Sequence, residues 1–295
     1  MLSALSARPT HQPRGARRAF AALGAGLLLT TLAACGDDEP TGTDATEAAP
    51  EESAGPTTTV EVFFVGDTPQ GPRLFAERHE VDAADPLNAA AALLTSGAAD
   101  DPDYRTLLPE GSFGTIAHDD GSYLVPLTDD GWRRPVDQTP REARLAVQQL
   151  VYTLQSVQGA KDPVVVSHGD GEAGTLFGVD VAGGVGALPQ LRVRGLVNVL
   201  SPAEGEEVSG SFTARGMASS FEATVPWEVR DASGEVVLEY SATAKGWFKR
   251  LYPWRARIDV SSLEPGEYTF VARTDDPSAG EGPGPTEDTR TIVVR

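Results

Sequence analysis

Residues 139–166 read TPREARLAVQQLVYTLQSVQGAKDPVVV, and the class of the first fold turns on this stretch. Thr139 and Glu142 stand at capping-box spacing, with Pro140 at the first helical position. Ala143, Val147, Leu150, Val151 and Leu154 then recur at helical intervals and make one apolar stripe. Val164–Ser167 is short and β-branched, the pattern of a strand. Working outward, Val60–Val65 and Leu74–Val81 are strands by the same signs, and Asp85-Pro86 opens a helix that runs to about Ser96. Phe113–His118 and Tyr123–Leu127 flank the turn signal Asp119-Asp120-Gly121-Ser122, which predicts a hairpin. The order β-β-α-β-β-α-β predicts an α+β domain, helices packed on a sheet, over residues 60–168.

Beyond it the texture changes. Residues 169–190 hold seven glycines, so 169–194 is expected to be a Gly-rich linker, with room for one extra strand at Thr175–Val181. From there to the end the signals are β. Phe221, Ala223, Val225, Trp227 and Val229 alternate with Glu222, Thr224, Pro226, Glu228 and Arg230, which predicts a half-buried strand with Trp227 in the core. Asp231-Ala232-Ser233-Gly234 turns the chain into Glu235–Tyr240, and Ile258–Val260, Tyr268–Ala272 and Thr291–Val294 supply further strands. Short strands at this density predict an all-β immunoglobulin-like sandwich over residues 195–295. Leu263-Glu264-Pro265-Gly266-Glu267-Tyr268 has the form of a tyrosine corner, with Phe270 where a disulfide-bearing domain places a cysteine.

Two resemblances follow from these stretches. VEVFFVGD at 60–67, ADPLNAAAALLTSG at 84–97 and ARLAVQQLVYTLQSVQGAKDPVVV at 143–166 resemble the GerMN domain of sporulation and germination proteins. The match departs after Leu94, where that family has Gly-Pro and this chain has Thr95-Ser96-Gly97. FEATVPWEVRDASGEVV at 221–237, LEPGEYTFVA at 263–272 and DDPSAGEGPGPTEDTRTIVV at 275–294 resemble the Gmad2 immunoglobulin-like domain, which often follows GerMN in bacterial lipoproteins. The resemblance implies binding or structural modules without a catalytic constellation. Some relatives assemble as rings or attach to other envelope proteins.

The N-terminal segment reads as an address. Arg8, Arg14, Arg17 and Arg18 precede an apolar run from Ala19 to Leu32, and no acid appears before Asp37. That is a secretory signal peptide, residues 1–34, with an apolar run too short for a permanent span. Arg17-Arg18-Ala19-Phe20 also has the look of a twin-arginine signal, so the export route stays open between the two systems. Leu32-Ala33-Ala34-Cys35 resembles the bacterial lipoprotein box, and Cys35 is the single cysteine of the chain. The resemblance implies a lipid on Cys35 that holds the protein at the outer face of the cell membrane; two acyl chains anchor stably where one does not. Residues 35–59 carry seven acids and no base, the composition of a disordered tether with a mean span on the order of 27 Å.

Composition bounds the chemistry. The 295 residues carry 43 acids against 24 bases, a formal net charge of -19, which excludes a nucleic-acid binder in search of phosphates. There is no G-x-S-x-G elbow, S-x-x-K tetrad or G-x-x-x-x-G-K-[ST] loop. His79, His118 and His168 are spread over separate strands, so no shared metal site is expected, and the acidic loops at 168–172 and 275–281 are expected to be solvated. No cofactor is expected. The local anomaly is residues 245–257, where Lys245, Lys249, Arg250, Arg255 and Arg257 alternate with Trp247, Phe248, Tyr252 and Trp254 and no acid intrudes. Aromatics beside cations make a candidate contact surface for an envelope protein, an anionic wall polymer or a second copy of the chain. The bland alternative sends Trp247, Phe248 and Trp254 into the sandwich core. Taken together, the sequence predicts a non-catalytic, lipid-anchored binding or scaffold protein of the cell envelope. A solute-binding lipoprotein and a cell-wall hydrolase are the alternatives.

Overall fold

The computed structural model describes residues 55–135, 137–276 and 281–295. The expected signal segment, the expected lipid site Cys35 and the expected tether as far as residue 54 lie outside the described residues. Strand β1 (Thr57–Gly66) pairs antiparallel with β2 (Arg73–Asp82) along its whole length, from Thr57 opposite Asp82 to Gly66 opposite Arg73. Residues 57–59, expected in the tether, therefore belong to the folded body.

Helix α1 (Pro86–Ser96) starts where Asp85 accepts the Asn88 N–H and stops at Gly97, whose φ of 67° a side chain would resist. Strands β3 (Ala117–Asp119) and β4 (Ser122–Pro126) make the expected hairpin around Asp120-Gly121. Helix α2 (Pro140–Gln158) carries both bonds of the capping box, and donation from the Thr139 hydroxyl and the Thr139 N–H holds the Glu142 carboxyl below its ordinary value. Strand β5 (Val164–His168) lies parallel to β4, completing the predicted order.

The buried stripe of α2 faces β1. Thr153 Oγ1 accepts the Phe63 N–H at 3.0 Å and Ser156 donates to the Glu61 carbonyl, while Leu150, Val151 and Leu154 are fully buried. Each such side chain contributes about 1.5–3 kcal/mol when withdrawn from water.

Residues 169–194 are not a free linker. Strand β6 (Gly171–Glu172) extends the sheet beside β5, β7 (Thr175–Leu176) pairs with β8 (Val179–Asp180), and a short α3 (Gln190–Val193) follows. The single extra strand expected at 175–181 is broken in two by a turn at Phe177-Gly178, both with positive φ. The glycines supply turns, and the apolar residues between them decide where the segment goes. Ala173, Leu176, Phe177, Val181 and Val193 are buried in the first core, with the Phe177 ring 5.8 Å from that of Trp132.

The second domain is a sandwich. Its strands are β9 (Val197–Ser201), β10 (Glu206–Val208), β11 (Ser211–Ala218), β12 (Thr224–Arg230), β13 (Val236–Thr243), β14 (Tyr252–Asp259), β15 (Gly266–Arg273) and β16 (Glu287–Val294). One sheet runs β10-β16-β15-β12-β13 and the other β14-β11-β9. Val225, Trp227, Val229, Trp254, Ile258, Phe270 and Ile292 fill the space between them. The tyrosine corner forms as expected, with the Tyr268 hydroxyl donating to the Glu264 carbonyl at 2.9 Å and Phe270 fully buried.

The expected alternation fails at its first residue. Phe221–Ala223 is a single 3-10 turn with positive φ at Glu222 and Ala223, so Phe221 swings out to the surface and the strand begins at Thr224.

A buried polar clasp joins the two domains into one body. Asn198 at the start of β9 imitates a strand partner for Ala76, taking its N–H at 2.8 Å and donating to its carbonyl at 3.2 Å. Arg290 of β16 reaches Asp101 and donates to Asp288 at 3.2 Å and to the Val199 carbonyl at 3.0 Å, with its guanidinium 5.2 Å from the Tyr104 ring centre. Burial works against the Arg290 charge, but Asp288, Tyr104 and Asp101 raise its pKa above the ordinary value. Burial also pushes the Asp101 carboxyl up to about 7, against the pull of Arg290. The Arg290 cation persists, and at Asp101 burial outweighs the pull of that cation, so its carboxyl takes up a proton more readily than in water.

Candidate interaction surface

The loop of residues 244–251 joins β13 to β14, and its shape is fixed from outside. The Ala244 N–H donates to the Ala223 carbonyl, Lys245 to the Pro253 carbonyl, Phe248 to Ser219 Oγ at 3.0 Å and Leu251 to Gln190 Oε1 at 3.1 Å. Leu251 is buried, which pins the far end of the loop. The residues between these ties are pushed outward. Trp247 is 42% exposed and Phe248 74%, and Phe248 holds a φ of 76°, a left-handed conformation costly for a bulky side chain.

Phe221, turned out by its own strained turn, stands beside them: its ring lies 5.3 Å from Trp247, and Trp247 lies 6.0 Å from Phe248. Lys249 and Arg250 flank this aromatic knob, and the Arg250 guanidinium lies 4.9 Å from the Tyr252 ring centre.

Of the eight predicted contact residues, the structure places Lys245, Trp247, Lys249, Arg250, Arg255 and Arg257 at the surface. Trp254 is a correction. It is 3% exposed and belongs to the sandwich core, because strict alternation along β14 turns Trp254, Ala256 and Ile258 inward and Arg255 and Arg257 outward. Tyr252 is half-buried against the same core. The candidate residues also fall into two groups. Trp247, Lys249 and Arg250 sit at the loop, whereas Lys245 and Arg255 line a separate concavity, and Arg257 donates to Ser211 Oγ at 3.0 Å. Phe221 was missed from the sequence because its position fits the alternation; the positive-φ turn that expels it has no glycine to announce it.

The three histidines are not brought together; each meets its own carboxylate. His118 lies 2.8 Å from Asp162, and His168 3.6 Å from Asp130. His79 joins Glu77 and Asp100, whose ligand-type atoms all fall within 4.8 Å of one another. That group acts as a staple for the following loop: Glu77 accepts the Asp100 N–H at 3.0 Å and the Asp101 N–H at 2.7 Å, delivering Asp101 to the clasp. In the 168–172 loop, Glu172 accepts the Gly183 N–H at 2.9 Å. Among the described residues no helix is long and apolar enough to cross a membrane.

Comparison with known proteins finds two family models that each match part of the chain. Residues 61–173 match the Germane family, described as sporulation and spore germination, and residues 196–281 match Gmad2, the immunoglobulin-like domain of bacterial spore germination. Among solved structures the chain is similar to the tandem GerMN domains of the sporulation protein GerM from Bacillus subtilis, at 15% identity over 70% of this chain and 62% of that one, with a TM-score of 0.34. It thus spans less than two thirds of that protein's length. It is also similar to CopC from Methylosinus trichosporium OB3b, at 19% identity over 33% of this chain and 92% of that one, with a TM-score of 0.23. No curated protein matches the chain.

Proposed function

We propose that this chain, a Germane domain followed by a Gmad2 domain, is a non-catalytic binding and scaffold protein held by a lipid on Cys35 at the outer face of the cell membrane. It would serve a sporulation, germination or envelope-remodelling assembly. The observation that carries this is the knob of Trp247 and Phe248 with Lys249 and Arg250, an exposed aromatic and cationic surface on a chain of net charge -19. Aromatic rings and arginines dominate the energetics of protein interfaces, and the basic flank suits an acidic face on an envelope protein. The ties to Ser219 and Gln190 hold the loop in place, so little ordering cost is left for the moment of binding. The acidic tether would keep the folded body clear of the headgroups while the lipid raises its local concentration.

Cross-linking in native membranes followed by mass spectrometry tests the partner. The expected result is one recurrent envelope protein, lost in a folded Trp247→Ala, Lys249→Ala, Arg250→Ala variant; an unchanged profile in that variant would refute this surface. Cys35→Ser tests the anchor separately, by moving the protein from the membrane fraction to the soluble fraction.

A further inference from the structure

A groove of about 640 Å³ lies where the β1–β2 ribbon meets the outer face of the β9–β11–β14 sheet. Four cations line it: Arg78 from β2, Arg215 from β11, Lys245 from the loop and Arg255 from β14, with Met217, Leu200 and Pro253 as apolar wall. The one acid of the lining is Glu61, whose charge also acts on the buried guanidinium of Arg194. Among the described residues none of the four cations forms an ion pair, and none makes a hydrogen bond through its side chain. Elsewhere acids are at hand, as for Arg105 with Asp67, Arg273 with Glu228 and Arg295 with Glu207. In a chain with nearly two acids per base, four unpaired cations around one groove is not the arrangement that composition favours.

Register sharpens the point. Arg215 and Arg255 are direct partners across the β11–β14 ladder, and like charges directly opposite on one face destabilise a sheet. The sheet keeps them adjacent with no counter-charge of its own.

We propose that this groove binds an oligoanion, a soluble ligand with two or more phosphate or carboxylate groups. The guanidinium forks of Arg78, Arg215 and Arg255 suit the bidentate geometry of either group, and Lys245 adds a point charge at the rim. The apolar wall would take the ligand's uncharged part. The proposal stands apart from the aromatic knob, since it uses neither Trp247, Phe248, Lys249 nor Arg250.

Titration of the full-length chain in detergent with tripolyphosphate and with citrate tests it. Arg215→Gln with Arg255→Gln is expected to weaken binding of at least one probe tenfold or more. Lys249→Gln with Arg250→Gln, which removes the same charge from the knob, is expected to leave binding unchanged. If the first pair loses its folded signal, Arg78→Gln with Lys245→Gln probes the same groove. Failure of both probes to bind, or equal weakening in the groove and knob variants, would overturn the proposal. Binding confined to phosphatidylglycerol vesicles would overturn it too, in favour of a lipid surface. Loss of a cross-linked protein partner in the knob variant with intact probe binding would leave the groove assignment standing.

Discussion

Replacing Asp101 by asparagine separates the charge of the inter-domain clasp from its shape. Asp101 is 2% exposed and faces Arg290, which also serves Asp288; Tyr104 and Asp103 complete the ring of titratable neighbours. Burial lifts the Asp101 carboxyl from 3.8 to about 7, with Asp288 and Asp103 pushing the same way and Arg290 pulling back. The folded protein therefore holds this proton more tightly than the unfolded chain. The resulting stability is fully present below about pH 4 and is lost as pH rises through about 7. At about 1.4 kcal/mol per pH unit, the interval amounts to at most roughly 4–5 kcal/mol. The amide of the Asp101→Asn variant would have no proton to lose and would keep an oxygen for the Asp103 N–H, which Asp101 accepts at 2.8 Å. Urea unfolding followed by tryptophan fluorescence from pH 4 to 8.5 reads the effect. The variant's stability relative to the natural chain should climb between about pH 4 and about 7 and level off above that. Exposed carboxyls with lowered values, such as Glu142 and Asp259, act in the opposite sense but equally in both proteins, so they cancel. A difference that stays constant with pH would refute the reasoning.

The other predictions concern packing. Gly216→Ala would drive a Cβ into the Asn198 carbonyl oxygen, a backbone clash expected to cost at least about 3 kcal/mol or to abolish soluble protein, read by yield and Tm. Trp254→Ala should cost roughly 3–5 kcal/mol in urea unfolding, because a core ring is lost. Trp247→Ala should stay within about 0.5 kcal/mol of the natural chain in the same assay; a large loss there would mean that the knob is structural. Thr139→Ala removes the helix cap that accepts the Glu142 N–H and should lower stability by about 1 kcal/mol, measured as a fall in Tm.

Local sequence determined a good deal of this protein. The capping box at Thr139, the Asp85-Pro86 helix start, the Asp120-Gly121 turn and the tyrosine corner all rest on interactions within a few residues, so the chain announces them wherever it is met. Alternation along β12 placed Trp227 inside for the same reason. Two readings failed where non-local packing overruled local pattern. The glycine-rich segment after His168 looks like a linker in composition, yet Leu176 and Phe177 bury themselves in a core whose other walls come from distant parts of the chain. Residues 245–257 look like one basic, aromatic surface, yet the sandwich takes Trp254 for its core, the loop expels Trp247 and Phe248, and the sheet turns Arg255 toward a groove shared with Arg78. Asp101, Asn198 and Arg290 carry no signal at all in the sequence, since each is an ordinary polar residue until the fold buries them together. Patterns of period two and 3.6 decide which way a side chain faces; which other side chain it meets there depends on closure of the whole chain, and only the tertiary structure settles that.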